Sequence, residues 1–281
     1  MMLKTALVLT LLSASSLLAD DKSLIEFIKK SIRQGPNVVL KSVAIDSVKK
    51  PKELGGWEVV ILKLDFQIDK ENQTKYEMVF RHGDMVAFDI LDIKRKSSIK
   101  GDYSPAVDMR FYRSDRMISG DKNGNTKHKI IVFSDPLCPF CLDLVPDIIA
   151  FAKAHPKDVT LYFYHFPIAS IHPSSPAIIK AAVALELRGE KNVVERLYKN
   201  DFDYKVTDTA EVLKNFNQFF NVNLTEKDIE AQKVLAHVKE DIDMASHLMI
   251  RGTPSVFIDG VKDSGHELFE KLKKEYEKPK K

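Results

Sequence analysis

The only two cysteines of the chain, Cys138 and Cys141, stand three residues apart in Cys138-Pro139-Phe140-Cys141. All the sulfur chemistry available to the protein therefore sits in one tetrapeptide. The run before it, Ile130-Ile131-Val132-Phe133, is short, β-branched and continuously apolar, the pattern of a buried strand. A helical pattern through Ala154 follows, and Pro139 suits its first turn, where no backbone donor is required. At a helix N-terminus the free amides and the macrodipole favour an anion, which should lower the pKa of Cys138 and make it the nucleophile. Cys141, one turn further and on the buried side, can attack a mixed disulfide held by Cys138.

Three plainer readings compete with a redox dithiol. A structural staple over so short a loop removes little unfolded-state entropy. A zinc site needs two more ligands, and the eight histidines are scattered with no closely spaced pair after the cysteines. Two inert buried thiols are the third. Against them stands a second motif, Arg251-Gly252-Thr253-Pro254-Ser255-Val256-Phe257-Ile258, with a proline at the entry to a strand. A Thr-Pro bond there can be held cis. If Pro254 faces the cysteines, the backbone at Thr253 can pair with an extended substrate segment. A generic strand-edge proline is the alternative.

The rest of the chain falls into parts. Residues 1–19 combine a basic start, an apolar run from Leu3 to Leu18 and Ala19 before Asp20-Asp21, the pattern of a secretory signal peptide cleaved near Ala19. The run is too short for a comfortable membrane span. Export to an oxidising space is expected, with an uncleaved anchor as the alternative because Leu17 is not the favoured small residue. Residues 22–34 show helical spacing up to Gly35-Pro36, and strand-like runs follow at 38–48, 57–68 and 76–93. Together they predict a small α+β domain over 20–100, with apolar surface left for dimerisation.

Polar breakers then mark a boundary at 101–124, where a charged linker helix is expected. From residue 125 to 281 the pattern runs strand, helix, strand at Val159 to Phe166, helices near 175–188, 190–200, 208–220 and 225–249, strand at Ser255 to Ile258, and a last helix from Ser264. This is an α/β arrangement with a helical insertion at about 170–250. The formal charge of +3 comes from the basic end, Lys271 to Lys281, and gives no reason to expect nucleic acid as a partner.

Residues 125–277 resemble the thioredoxin-fold disulfide-bond (Dsb) oxidoreductases of the bacterial periplasm. The resemblance is carried by Phe133-Ser134-Asp135-Pro136 leading into Cys138-Pro139-Phe140-Cys141, by Pro146, by His165-Phe166-Pro167 and by Gly252-Thr253-Pro254 before a strand. It implies an α/β thioredoxin fold plus a smaller, cystatin-like N-terminal α+β dimerisation domain, most like the homodimeric DsbC and DsbG branch. It also implies that Cys138 attacks, Cys141 resolves, and Pro254 is the cis-proline beside them. Thr253, Pro139 and Phe140 would contact substrate, with no metal and no cofactor beyond the Cys138–Cys141 disulfide.

The implied partners are unfolded or misoxidised exported proteins and a membrane redox partner of the DsbD or DsbB type. The expected activity is that of a disulfide isomerase or reductase. A dimeric DsbA-like oxidase and a holdase chaperone with secondary redox activity are the alternatives. Two departures stand out. The acid that thioredoxin and DsbA carry six residues before the first cysteine is Val132 here, and the dipeptide between the cysteines has no histidine. Asp135 is expected to be a loop or cap residue, and His165 and His172 to be solvated.

Overall fold

The computed structural model describes residues 20–277 except 69, 70, 122, 124, 201 and 204. The expected signal peptide, with its cleavage near Ala19, and the last residues of the basic tail lie outside the described residues. The chain divides into two compact units, Met1–Pro105 and Ala106–Lys281.

In the first unit a helix over 20–31 (α1) precedes strands β1 (Val38–Lys49), β2 (Glu58–Ile68), β3 (Glu71–His82) and β4 (Met85–Ala87). They form one antiparallel sheet in the order β1-β2-β3-β4. Leu24 and Ile28, one helical turn apart, pack on Val60, Leu62, Leu64 and Val79, residues that alternation puts on one sheet face. The strand-like run over 76–93 is divided by the turn that His82-Gly83-Asp84 signals. Gly83, at φ 53°, turns β3 into β4, and the chain then forms a two-residue pairing of β5 (Leu91–Asp92) with β6 (Ser97–Ser98).

The second unit is built on a five-stranded mixed sheet. Its strands are β7 (Met117–Ser119), β8 (His128–Ser134), β9 (Val159–His165), β10 (Ser255–Ile258) and β11 (Val261–Lys262), in the order β11-β10-β8-β9-β7. Helix α2 (Pro139–Ala154) makes the crossover between the parallel pair β8 and β9, as the apolar run of β8 leads one to expect. Helices α3 (Ser175–Leu187), α4 (Val193–Leu197), α5 (Thr209–Phe220), α6 (Glu226–Ile229) and α7 (Gln232–His247) form the insertion, and α8 (Glu267–Glu277) closes the unit.

Alternation along β8 and β9 sorts the core. Ile130, Val132, Val159, Leu161 and Phe163 face the helices α2 to α5, whereas Ile131, Phe133, Tyr162 and Tyr164 build an aromatic layer on the other face. Phe133 and Tyr164 stack there at 4.7 Å between centroids.

The expected linker helix at 101–124 does not form. Pro105 and Gly101 break any helical run, and Ser98 and Asp108 instead accept backbone N–H bonds from Lys100 and Arg110, closing short 3-10 turns at Ile99–Tyr103 and Met109–Phe111. Residues 114–119 belong to the sheet unit. Met117 and Ser119 pair with Tyr162 and Leu161. Arg116, buried, donates to Asp241 Oδ1 at 2.6 Å and so ties this segment to α7. Burial pushes the Asp241 carboxyl up to about 6 despite the guanidinium. Gly120 then turns the chain at φ 116°, where a Cβ would lie 2.5 Å from the Thr160 Cα.

The helices expected at 190–200 and 225–249 are also changed. The first shrinks to Val193–Leu197, and the second breaks at Glu230-Ala231 into α6 and α7. Thr225 and Asp228, three apart at the start of α6, form a reciprocal capping box.

Candidate functional site

Strand β8 delivers the chain to the N-terminus of α2 with Cys138 at the cap position, φ −73° and ψ 122°, and Pro139 next in the first turn. The Cys138 carbonyl accepts the amides of Cys141 and Leu142 at 2.9 and 3.0 Å, so the first helical turn closes around the pair. The buried positions Cys141, Val145, Ile148, Ile149 and Ala152 recur at helical spacing, and this stripe seats α2 on the sheet and carries Cys141 inside. Both thiols are free. Cys141 is wholly buried, whereas Cys138 keeps 6% of its surface and Pro139 and Phe140 are exposed beside it.

Strand β10 runs antiparallel to β8 with Ser255 opposite Phe133, which sets Thr253 and Pro254 against the loop that carries Cys138. The Thr253-Pro254 bond is cis. The Cys138 sulfur lies 3.3 Å from the Thr253 carbonyl, to which it donates in its thiol form; the lowering effect of Thr253 on this sulfur comes from its side chain. The Thr253 hydroxyl is buried with no hydrogen-bond partner of its own. The motifs at 138–141 and 253–254, 112 or more residues apart in sequence, thus meet at one sulfur.

The surroundings separate the two thiols. Hydrogen bonding from Cys141 holds Cys138 down at about 5, helped by Thr253 and by the helix amides of Phe140 and Cys141, against the opposing effect of burial. Burial pushes the Cys141 thiol well up, and the bond it gives to Cys138 adds to the rise. The first sulfur is set to be a thiolate and the second a thiol.

Asp135 is the residue that sequence reasoning undervalued. Its carboxylate is wholly buried and accepts four bonds: Leu137 N at 2.9 Å and Ser175 Oγ at 2.9 Å on Oδ1, Ile168 N at 2.8 Å and His172 Nδ1 at 3.0 Å on Oδ2. Its carbonyl accepts the Cys138 amide at 3.1 Å. It therefore fastens the cysteine loop to the segment after β9 and to the start of α3. His165 and His172 are not solvated, contrary to the sequence expectation. Each is at most 6% exposed, since His172 is held by Asp135, and His165 ends β9 with its ring 3.3 Å from Glu186 Oε2. The run His172-Pro173-Ser174-Ser175 at a helix start was the available clue to Asp135's partners.

Among the described residues no group of three or more His, Cys, Asp or Glu side chains is placed to hold a metal ion, and no helix is long and apolar enough to cross a membrane.

A family model described as thioredoxin matches residues 114–277, more than half of the chain. Solved structures similar to it include a thioredoxin-like oxidoreductase from Silicibacter pomeroyi, at 20% identity over 56% of this chain and 91% of that one, TM-score 0.43. Another is the catalytic domain of Proteus mirabilis ScsC, at 20% identity over 59% and 91%, TM-score 0.45. A third is the thiol-disulfide exchange protein α-DsbA2 from Wolbachia pipientis, at 18% identity over 56% and 85%, TM-score 0.41. Among curated proteins, the Na(+)/H(+) antiporter NhaA 1 of Mycolicibacterium vanbaalenii is 26% identical over 145 residues, which is 48% of this chain and 22% of the antiporter. The chain spans about a fifth of the length of the curated relatives it matches.

Replacing Asp135 by alanine strands four donors in the interior. Asp135→Ala should lower stability by about 3 kcal/mol or more in denaturant titration of the full chain, the range for removing one partner from a buried network. An unchanged midpoint would show that the loop is held by other means.

Proposed function

The chain belongs to the thioredoxin family, and we propose that it is a thiol-disulfide oxidoreductase working on cysteines of exported proteins in the isomerase or reductase direction. The observation that carries this reading is the Cys138 sulfur at the N-terminus of α2, 3.3 Å from the Thr253 carbonyl, with a free, buried Cys141 one turn behind it.

The reading gives each residue a part. Cys138, as thiolate, attacks a substrate disulfide and forms a mixed disulfide, releasing the other substrate sulfur. Cys141 then attacks Cys138 and frees the substrate as a dithiol, or the substrate's own released thiol rearranges the bond first. Thr253 and Pro254, with the exposed Pro139 and Phe140, form the substrate-facing rim, where an extended segment can pair with the Thr253 backbone. The two sulfurs are the redox centre, with no further cofactor. A first cysteine held well below an ordinary thiol is a thiolate at neutral pH, ready to attack.

We further assign the protein to the periplasm, from the leader-like residues 1–19, with a membrane redox partner of the DsbD or DsbB type to reset it. A homodimer through the 20–100 domain fits the apolar side chains that domain leaves exposed. Phe27 and Phe88, their rings 6.5 Å apart, are each about half exposed, and Leu91 and Ile93 more so.

Two experiments test this. In thiol-exchange assays Cys138→Ser should abolish activity, whereas Cys141→Ser should retain attack and accumulate mixed disulfides visible on non-reducing gels; an active Cys138→Ser protein would sink the redox reading. Sedimentation of residues 20–281 at micromolar concentration should give a dimer, and a monomer there would remove the dimeric isomerase assignment.

A further inference from the structure

The resolving sulfur has no acid below it. Val132, six residues before Cys138, is wholly buried and apolar; the buried acid beside this site, Asp135, follows the strand, bears on Cys141 and Tyr198, and is taken up by four donors of its own. What the fold puts there is a pair of hydroxyls. Alternation along β8 puts Ser134 on the same face as Ile130 and Val132, the face that shares one core with Cys141 and Tyr198. Ser134 Oγ lies 2.6 Å from the Tyr198 hydroxyl, with both groups buried. Tyr198 comes from the end of α4, in the insertion, and its ring packs edge-on against Phe163 of β9.

A hydroxyl pair at this distance has one donor and one acceptor, and chemistry decides the order. The phenol is the more acidic, so Tyr198 donates and the Ser134 proton is left to point elsewhere. Ser134 lowers the Cys141 thiol against the larger effect of burial, while burial and the Cys141 charge keep the Tyr198 phenol protonated far above neutral pH.

We propose that Ser134 and Tyr198 stabilise the anionic form of the resolving cysteine, Tyr198 donating to Ser134 and Ser134 donating to the Cys141 sulfur. The proposal rests on the thiol-exchange reading above and adds the residues that make its second step fast. In that step Cys141 releases its proton to solvent and its thiolate attacks Cys138 Sγ. The Cys138–substrate S–S bond breaks as the Cys138–Cys141 bond forms, the protein dithiol is oxidised, and the substrate sulfur leaves reduced and takes up a proton from solvent. The hydroxyls neither gain nor lose a proton. They hold the charge on Cys141 before attack and, in the reverse direction, as it leaves. In this arrangement Ser134 is the group that meets the reacting sulfur, and Tyr198 is a positioning residue that orients Ser134 across their 2.6 Å bond.

The test uses the reduced full chain and dithiobis(nitrobenzoate), which releases one thionitrobenzoate when Cys138 attacks it and a second when Cys141 resolves the adduct. Tyr198→Phe keeps the ring and should slow the second release about tenfold, the scale of a lost hydrogen bond to a charged group, and move the midpoint of its pH profile upward. Ser134→Ala should do the same or more, and in both variants the slowing should be confined to the second release. A second release with unchanged rate and pH profile in Tyr198→Phe overturns the proposal while leaving attack by Cys138 standing. Absence of the first release from the unaltered protein overturns the exchange reading and this proposal with it. If Ser134→Ala does not fold, as circular dichroism would show, the ring-conserving variant alone decides.

Discussion

The arrangement of the site depends on a buried carboxylate with no room for error. Asp135 has no exposed surface, and an ionised carboxylate in such a place is costly unless every lone pair is used. Four donors from three separate segments converge on it: the cysteine loop, the chain after β9, and the start of α3. The same residue accepts the Cys138 amide through its carbonyl. The position of the nucleophile is thus fixed by a side chain that never meets the substrate.

With the loop fixed, the sulfurs are divided by depth and by donors. One sits at the open end of a helix, against the Thr253 carbonyl and facing exposed Pro139 and Phe140. The other is a turn deeper, in an apolar core that also holds the Ser134 and Tyr198 hydroxyls. The low Cys138 value also has a consequence for stability. Because the folded value of about 5 lies below that of an unfolded thiol, near about 8.5, its contribution to the reduced fold is fully present above the unfolded value and lost as pH falls through about 5. Cys141, raised by burial, works in the opposite direction at high pH, since the unfolded thiol ionises there and the folded one does not. Taken together, the two thiols support the reduced state best near the unfolded thiol value, about 8.5.

What could be read in the amino-acid order was local and periodic. The continuous apolar run of β8, the proline one residue into α2, the alternation of Val159, Leu161 and Phe163, and the Thr225 to Asp228 cap each express a rule that acts within a few residues, and each element forms. The two motifs at 138–141 and 253–254 were legible as motifs, and the pairing of β8 with β10 brings them together. The failures have the opposite character. Three-residue strand β7 is too short to show a period, and it exists because Met117 and Ser119 find β9 and Arg116 finds Asp241, 125 residues away. His172 looked solvated because nothing near it in sequence could satisfy its ring; its partner, Asp135, lies 37 residues earlier. Ser134 and Tyr198, 64 residues apart, were unreadable for the same reason.

The central claim is that Cys138 is a stabilised thiolate, and its direct test is a pH titration of ultraviolet thiolate absorbance in the reduced full chain. A midpoint near about 5, absent from Cys138→Ser, is the expected result. A midpoint in the ordinary range near about 8.5 would contradict it, because the helix terminus, Cys141 and Thr253 would then give the sulfur no special acidity and the site no poised nucleophile.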